Sequence, residues 1–417
     1  MSTPSSAGAD GTGAQATGEW DTPGRGGAGS PETPSMSTEH DVRHIEVDAV
    51  PRRFARGWHC LGLEKDLADG KPHRVEAFGT RLVAFASSDG QVHVLDGYCR
   101  HMGGDLSQGE VKGDEIACPF HDWRWGGDGR CKQIPYARRV PLRARTQTWP
   151  TLVQDGMVFV WNDPEGNPPP ADVTIPRIPQ ATDPGWTDWR WYSTVIEGAN
   201  CREIVDNVVD MAHFFYVHYS FPTYFKNVFE GTTAHQYMNG DGREDVRPTK
   251  PGRGSPVVLG TSSVAAYHGP SFMVDEVTYH YEDLDVDTVL INCHYPIDEH
   301  SFVLQYGIVV EKKEGLSDAE AEEMAAKTGS FIRYGFEQDV AIWKNKARID
   351  NPLLCEEDGP VYQLRRWYQQ FYVDVADVTD EMTDRFEFEI DTTRPNEAWR
   401  AEVEANLAAR GAAAGRS

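Results

Sequence analysis

Two short segments each pair a cysteine with a histidine at a spacing that can hold metal. The first reads CRH and supplies Cys99 and His101; the second reads CPFH, follows after sixteen intervening residues, and supplies Cys118 and His121. Thiolate and imidazole groups bind zinc or iron–sulfur centres. All four can close one tetrahedral zinc site. Alternatively, two cysteines hold one iron of a [2Fe–2S] cluster and two histidines hold the other.

Three features favour the second possibility, a Rieske centre. The first pair is C-x-H rather than C-x-x-C, and each segment supplies one cysteine and one histidine, as two irons require. Both segments lie in glycine-containing turns, GYCRHMGG and CPFHDWRWGG, that can close over a cluster. A structural zinc site is the alternative. Cys60 and Cys131 lie outside the motif and are interpreted as packing or surface thiols.

A second polar group lies in NVVDMAHFFYVH, which carries Asn207, Asp210, His213 and His218. On a helix, steps of three keep the first three roughly on one stripe. The two histidines are five residues apart, about 140° round a regular helix. They can therefore reach one metal only if the helix ends or widens, as at a π-bulge. Two histidines and a carboxylate are the ligand set of many Fe(II) oxygenases.

The carboxylate must come from elsewhere in the chain, and Asp339 is the candidate. In GFEQDVAIWKNK it shares one helical face with Phe336 and Trp343. A carboxylate on an apolar face is costly unless it is paired or bound to metal. Glu337 is the competing candidate, and an N-cap or a salt bridge is the alternative role for Asp339.

The elements that must position these residues form two groups. Short β-rich segments punctuated by turn residues extend from Arg53 to about Trp161, and the linker DPEGNPPPADVTIPRIP follows. Longer β segments come next, with helical stretches near 200–218 and from Ser317 to about Arg348. The pattern predicts an α+β chain, with a small all-β domain before a larger α+β domain.

Four regions are predicted along the chain. Residues 1–40 are rich in Gly, Ser, Thr, Pro and Ala, and are expected to form a disordered tail. Residues 41–165 form the iron–sulfur domain and residues 166–400 the mononuclear iron domain. Residues 401–417 are expected to be a helix end and a flexible tail.

Composition limits the function further. The net charge is −25, which argues against binding to nucleic acid or anionic lipid. No apolar run approaches the roughly 18 residues of a membrane helix, so stable membrane insertion is not expected. No secretory signal is visible, so a cytoplasmic location is expected. The seven cysteines are widely spaced and odd in number, which is not the pattern of a disulfide scaffold.

The segments CRHMGGDLSQG and CPFHDWRWGGDGRC resemble the Rieske domain of Rieske non-heme iron oxygenases. Their residues are similar to those of the oxygenase components of 3-ketosteroid 9α-hydroxylases, and the resemblance covers nearly all of the chain after the tail. The resemblance implies that the larger domain is a helix-grip-like catalytic domain built on an antiparallel sheet. It implies a monooxygenase of steroid and cholesterol catabolism that uses O2, with electrons from a separate NADH-dependent reductase carrying flavin and a plant-type [2Fe–2S] cluster. The implied substrate is androstenedione, androstadienedione or a 3-ketosteroid that retains its side chain.

The resemblance also assigns residues. It implies that Asp210 bridges His121 of one subunit to an iron-bound histidine of the next, within a head-to-tail homotrimer. The implied ligands of Fe2+ are His213, His218, Asp339 and, weakly, Asn207. The implied substrate-lining residues are Val208, Gln236, Tyr267, Met273, Asn292, Phe336 and Trp343.

Three of these pocket assignments have independent support, and one neighbouring position departs from the family. Phe336 and Trp343 flank Asp339 on its own helical face. Alternation along TVLINCHYPI puts Asn292 on the face opposite its two neighbours. Asp275 stands where the resemblance implies asparagine, and an ionised carboxylate cannot donate a hydrogen bond to a keto oxygen.

Residues 128–145 hold six basic residues against one aspartate, a local +5 in an acidic chain. The stretch is either a solvated loop or a docking site for an acidic reductase. Two other functional classes are weighed for the whole chain: a Rieske electron carrier and a lipid-binding module without catalysis. The second histidine pair and its carboxylate argue against both. A Rieske oxygenase with another substrate, such as a demethylase or a sterol desaturase, is the alternative.

Overall fold

The computed structural model describes residues 52–246, 258–282, 284–313 and 315–414, which form four antiparallel sheets and six α-helices. The tail predicted for residues 1–40 lies outside the described residues, as does the end of the predicted C-terminal tail. Within the described ranges, no helix is both long and apolar enough to cross a lipid bilayer.

Three small sheets form the first part of the described chain. They are built from short strands separated by tight turns, several of which place glycine at positive φ. In chain order the elements are β1 (Gly57–Leu63), α1 (Glu64–Leu67), β2 (His73–Ala77), β3 (Thr80–Ala86), β4 (Val92–Asp96), β5 (Glu110–Lys112), β6 (Glu115–Ala117), β7 (Arg124–Gly126), β8 (Cys131–Gln133), β9 (Thr148–Trp149), β10 (Thr151–Gln154) and β11 (Met157–Asn162). The sheet orders are β1-β11-β10, β2-β3-β4-β9 and β5-β6-β7-β8. The all-β architecture predicted here is confirmed.

One eight-stranded sheet dominates the second part. In chain order its elements are β12 (Arg190–Glu197), α2 (Met211–Tyr216), β13 (Ser220–Glu230), β14 (Thr233–Gly242), β15 (Gly260–His268), β16 (Phe272–His280), β17 (Asp285–Pro296), β18 (Ser301–Val310), α3 (Asp318–Trp343), α4 (Val361–Gln369), α5 (Asp380–Thr383), β19 (Phe386–Glu389) and α6 (Thr393–Ala414). The strand order is β12-β18-β17-β16-β15-β14-β13-β19, and each neighbouring pair is antiparallel. The predicted α+β class is confirmed.

The first strand packs directly against the large sheet. Trp58 and Cys60 on β1 share a buried apolar cluster with Ile291 and Cys293 on β17. The hydroxyl of Ser271 donates a 3.0 Å hydrogen bond to the carbonyl of Trp58. The sheet β1-β11-β10 therefore shares a hydrophobic core with the large sheet, and the domain boundary predicted near residue 165 stays a prediction.

The helix predicted near residues 200–218 is wrong over most of its length. The chain instead makes two short 3₁₀ turns, Cys201–Glu203 and Val205–Val209, before α2 begins. Asp210 separates them from α2 because its backbone is extended, with φ −87° and ψ 92°, and its side chain accepts a hydrogen bond from the His213 amide. A residue of that kind starts a new helix rather than continuing an old one.

The second predicted helix is confirmed as α3. Ser317 caps it, and Glu320 completes a reciprocal capping box, as the sequence pattern at this position favours. Its glycines do not break it, and it ends at Trp343 rather than at the predicted Arg348.

Candidate functional site

The first cysteine–histidine pair lies in the turn after β4, and the second lies in the turn after β6. In each turn an amide four residues beyond the cysteine donates to the cysteine's carbonyl, at 2.8 and 2.9 Å. Cys99 and Cys118 are buried, and the ring centroids of His101 and His121 are 4.9 Å apart. The two turns thus bring all four predicted cluster ligands to one place.

The donor atoms fit a two-iron cluster. Burial raises the pKa of the Cys99 thiol to about 11, so the thiol carries its proton near neutral pH. Because a metal binds the thiolate, this proton must be released when the metal binds. Among the described residues, Nδ1 of His121 is buried without a hydrogen-bond partner. A Cβ added to Gly104 would lie 2.7 Å from Sγ of Cys118, so this glycine keeps space open beside the sulfur.

The second group forms a compact metal-binding constellation. The candidate ligand atoms of His213, His218 and Asp339 all lie within 4.8 Å of one another. Nε2 of His218 is 3.2 Å from a carboxylate oxygen of Asp339. Two ligands bound at right angles to one metal, each about 2.1 Å away, would be about 3 Å apart. The geometry fits a two-histidine, one-carboxylate site with open positions.

The end of α2 explains how two histidines five residues apart can face one metal. The amides of Val217 and His218 both reach back to the carbonyl of His213, at 2.7 and 3.4 Å, so the last turn widens. Tyr219 then takes a left-handed conformation with φ 57°, which ends the helix. The sequence required the helix to end or to widen, and both occur.

The imidazole of His213 is held by the backbone that starts α2. Its Nδ1 donates to the carbonyl of Asp210, which leaves Nε2 free to bind a metal. Burial lowers the pKa of His213, which favours the neutral form that binds metal, while Asp210 acts in the opposite direction. The Asp210 carboxylate is half exposed and lies 3.9 Å from Nδ1. The backbone carbonyl, rather than the carboxylate, is therefore the contact within the chain.

The structure distinguishes the two candidate carboxylates on α3. Asp339 is buried and faces the histidines, whereas Glu337 is exposed and pairs with Arg333 at 2.8 Å. Gly335 lies one turn before Asp339, and a Cβ there would be 3.5 Å from Nδ1 of His218. This distance is an ordinary van der Waals contact, so α3 passes close to His218 at Gly335, and the Glu337 alternative does not fit.

A cavity of about 610 Å³ opens beside this constellation, between α3 and the large sheet. Asn207 and the three candidate ligands contribute to its wall. All seven residues expected to line a substrate pocket also line this cavity: Val208, Gln236, Tyr267, Met273, Asn292, Phe336 and Trp343. Leu290 and Asn292 face it, while Ile291 and Cys293 pack on the other side, as the alternation predicts.

Several lining residues were missed from the sequence. They include Ser263, Val277, Tyr279 and Ile332, and Asp275 also faces the cavity. Ser263 lies an even number of residues from Tyr267 on β15, and the cavity-facing residues of β16 lie at every second position after Met273. Period-2 alternation could have identified them once the strands were known.

The surface around the cysteine–histidine turns is partly apolar. Met102, Phe120, Tyr136 and Leu142 are all more than half exposed. The six basic residues of 128–145 are also exposed, and two of them pair with Asp128. Apolar side chains and positive charge therefore lie close together in the sequence next to the cluster motif.

Comparison with known families identifies both parts of the chain. Residues 57–150 match the Rieske [2Fe–2S] domain, and residues 160–372 match the 3-ketosteroid 9alpha-hydroxylase C-terminal domain. A 3-ketosteroid-9-alpha-monooxygenase oxygenase component from Rhodococcus rhodochrous is 65% identical over 376 residues, covering 90% of this chain and 95% of the relative. The corresponding Mycobacterium tuberculosis component is 60% identical over 385 residues, with 90% and 97% covered.

More distant proteins share the fold. Dicamba monooxygenase bound to dicamba superposes with a TM-score of 0.61 at 20% identity, covering 76% of this chain and 97% of that one. NdmA of Pseudomonas putida gives a TM-score of 0.60 at 17% identity, with 81% and 96% covered. Cholesterol 7-desaturase of Caenorhabditis elegans is 27% identical over 372 residues, covering 83% and 84%.

Proposed function

Because the chain belongs to the family of 3-ketosteroid 9α-hydroxylase oxygenase components, we propose that it hydroxylates a 3-ketosteroid at C9. Steroid, O2, NADH and a proton would yield the 9α-alcohol, water and NAD+. The observation that carries the proposal is the group His213, His218 and Asp339 in the wall of a cavity of about 610 Å³. That volume lies within the usual range of small-molecule sites.

The cofactors are a Rieske [2Fe–2S] cluster, indicated by the match of residues 57–150, and a mononuclear Fe2+, indicated by the C-terminal family match and by the group His213, His218 and Asp339. When bound, the cluster supplies single electrons and the mononuclear iron activates O2 for insertion into a C–H bond. Cys99, His101, Cys118 and His121 would hold the cluster. The part of the protein is to fix these ligands, to keep water from the reacting bond, and to place one C–H bond of the substrate near the iron.

His213, His218 and Asp339 are the proposed iron ligands. The backbone carbonyl of Asp210 fixes the His213 ring, and α3 passes close to His218 at Gly335. Asn207 lies on the same cavity wall and is proposed as a weak further ligand. These residues would hold the metal in the cavity wall, where it would activate O2 beside the substrate.

We further propose that Asp210 carries electrons between subunits. Its carboxylate is half exposed and lies beside the ring of a proposed iron ligand, which supports contact with His121 of a second copy of the chain. A carboxylate between two imidazoles orients both rings and shortens the path between the metal centres. This arrangement requires a head-to-tail ring, for which a trimer is the proposed state.

The substrate proposed for the cavity is a flat, mostly apolar tetracycle such as androstenedione, androstadienedione or a 3-ketosteroid with its side chain. Tyr267, Phe336 and Trp343 offer broad apolar contact surface. Asn292 adds a polar group, since its amide oxygen is buried without a partner among the described residues. Such a wall orients a steroid by shape and by few hydrogen bonds.

The electron donor is proposed to be a separate flavin and [2Fe–2S] reductase that uses NADH, which places the working enzyme in the cytoplasm. The exposed basic stretch 128–145 follows the cluster motif directly and supports docking of an acidic partner there.

The function is tested with two variants on the same helix, Asp339→Ala and Glu337→Ala. Asp339→Ala should keep the visible spectrum of the Rieske cluster, lose the mononuclear iron, and lower steroid hydroxylation by about 100-fold or more, because a ligand is removed. Glu337→Ala should retain iron content and activity, since its side chain points to solvent. Full activity of Asp339→Ala, or no 9α-alcohol from the unaltered protein with its reductase, contradicts the proposal.

A further inference from the structure

One polar pair interrupts the apolar cavity wall away from the proposed iron ligands. Ser263 on β15 and Asp275 on β16 both line the cavity, and the Ser263 hydroxyl donates a 2.7 Å hydrogen bond to Oδ1 of Asp275. They lie on neighbouring strands, two residues out of register, where diagonal side chains on one face can meet. We call these two residues the acceptor pair.

The surroundings of the acceptor pair are apolar. Val277 and Tyr279 follow on the same strand, Leu290 lies opposite on β17, and Ile332 faces them from α3. Burial raises the pKa of Asp275 to about 6, the hydrogen bond from Ser263 lowers it, and Glu276 raises it slightly. At pH 7.5 the carboxyl group is therefore mostly ionised.

The acceptor pair can accept hydrogen bonds from a ligand but has no proton to donate to one. An ionised carboxylate only accepts hydrogen bonds, and a serine hydroxyl has a single proton to donate. Ser263 directs that proton to Asp275, so the lone pairs of both groups remain to face a ligand. A ketone oxygen placed here would meet only acceptors, whereas a hydroxyl group could donate to the carboxylate.

We propose that the acceptor pair selects steroids with a hydroxyl group, rather than a ketone, at the position that meets β15 and β16. This inference rests on the proposed function, because it concerns the substrate of that same cavity. The hydroxyl belongs to the ring system away from C3 or to the side chain; in both cases it donates to Oδ2 of Asp275. A mismatched ketone loses a hydrogen bond and leaves a buried charge unsolvated.

The test compares steroid pairs that differ in one group only. One pair is androstenedione and its 17β-hydroxy counterpart; the other is two 3-ketosteroids whose side chains are identical except for a keto or a hydroxy group. Dissociation constants are measured by equilibrium dialysis against the intact holoenzyme without O2 at pH 7.5. The unaltered protein should bind the hydroxy member of one pair about tenfold or more tightly than the keto member. The pair that shows this preference identifies whether a ring hydroxyl or a side-chain hydroxyl contacts Asp275.

Two variants assign the preference to the acceptor pair. Asp275→Asn can donate through its amide, so it should remove or reverse the preference while folding is retained, because a buried charge is replaced by a neutral group of similar size. Glu276→Gln removes the neighbouring, exposed charge and should leave the preference unchanged. An identical ratio in the unaltered protein and in Asp275→Asn overturns the inference.

Failure of the two proposals would look different. The binding preference requires no turnover, so it can be observed even if no 9α-alcohol forms. Conversely, hydroxylation of both members of each pair with equal affinity would support the proposed function and contradict the role of the acceptor pair.

Discussion

At the residue scale, position relative to the core decides which of several similar side chains can do chemistry. Asp339 and Glu337 are both carboxylates on one helix, yet only Asp339 is buried against the histidines. Asp275 is a third carboxylate, also enclosed, but its neighbours are a serine and apolar groups rather than imidazoles. Similar side chains therefore serve as a proposed metal ligand, a surface ion pair and a proposed substrate contact.

The charge of Asp275 makes steroid selection depend on pH. Burial raises its pKa from 3.8 in a free chain to about 6, so protonation stabilises the folded form at low pH, and that contribution is lost as pH rises through about 6. A protonated carboxyl can donate to a ketone. We expect the affinity for ketone-bearing steroids to rise as pH falls from 7.5 to 5.5, measured as dissociation constants without O2. Asp275→Asn should show no such rise; a rise of the same size in the variant would assign the effect to another group.

At the element scale, α2 is a short helix whose two ends are held from outside. Asp210 caps its start, and Arg243 on the loop after β14 holds its end by donating to the carbonyl of Phe215 at 3.0 Å. The guanidinium also stacks over the Phe215 ring and forms a buried ion pair with Asp245. Asn406 on α6 donates to the same carboxylate, so the C-terminal helix supports the metal-binding turn.

Replacing Arg243 should therefore destabilise both the fold and the iron site. Arg243→Met leaves Asp245 as an uncompensated buried charge, with an expected loss of about 3–5 kcal/mol in the free energy of unfolding. Iron content per Rieske cluster should fall as well, because the turn that carries His218 loses its support. Denaturant unfolding and metal analysis measure the two effects.

A matched control uses an exposed ion pair. Arg333→Met breaks the contact with Glu337 on the surface of α3 and should cost less than about 1 kcal/mol. Equal losses in the free energy of unfolding for the two variants would contradict a stabilising effect specific to the buried ion pair of Arg243.

At the scale of the whole molecule, electrons must pass between centres that lie in different parts of the chain. The cluster turns lie among the small N-terminal sheets, whereas the proposed iron ligands lie on α2, after α2, and on α3. The exposed carboxylate of Asp210 and the exposed apolar groups near the cluster support transfer between subunits.

Asp210→Asn tests that route without removing the helix cap, since asparagine caps as well as aspartate does. The proposed trimer, the cluster and the mononuclear iron should be retained. Transfer from the reduced cluster should slow by about tenfold or more, because the charge that couples two imidazoles is gone. Rapid mixing of the reduced enzyme with O2 and steroid, followed by the cluster's visible absorbance, measures it. An unchanged rate in an intact trimer excludes this residue from the path.

Docking of the reductase is tested by charge reversal. The double change Arg138→Glu and Arg139→Glu should slow reductase-driven turnover about fivefold or more at low salt, and the difference should shrink as salt is added. Arg410→Glu, at an exposed position on α6, is the control and should have no such effect. Equal kinetics for both proteins at low salt would contradict docking at the basic stretch.

Features that depend on residues close together in the sequence could be predicted, whereas features that depend on distant residues could not. The cluster motif, the all-β and α+β parts, the capped start of α3 and the face of Asn292 are encoded by neighbours a few residues apart. The helix predicted over 200–218 was wrong because a local pattern of apolar residues does not show that Asp210 will bond to the His213 amide and restart the helix.

By itself, the sequence determined the kind of chemistry, because cysteine and histidine at these spacings bind metal wherever the turns are placed. Only the tertiary structure decided which carboxylate faces the two histidines, and that the lone pairs of Ser263 and Asp275 face the cavity. The physical reason is that the donor atoms come from segments far apart in the chain. Their separation is set by the packing of α3 against the sheet, which depends on many side chains at once.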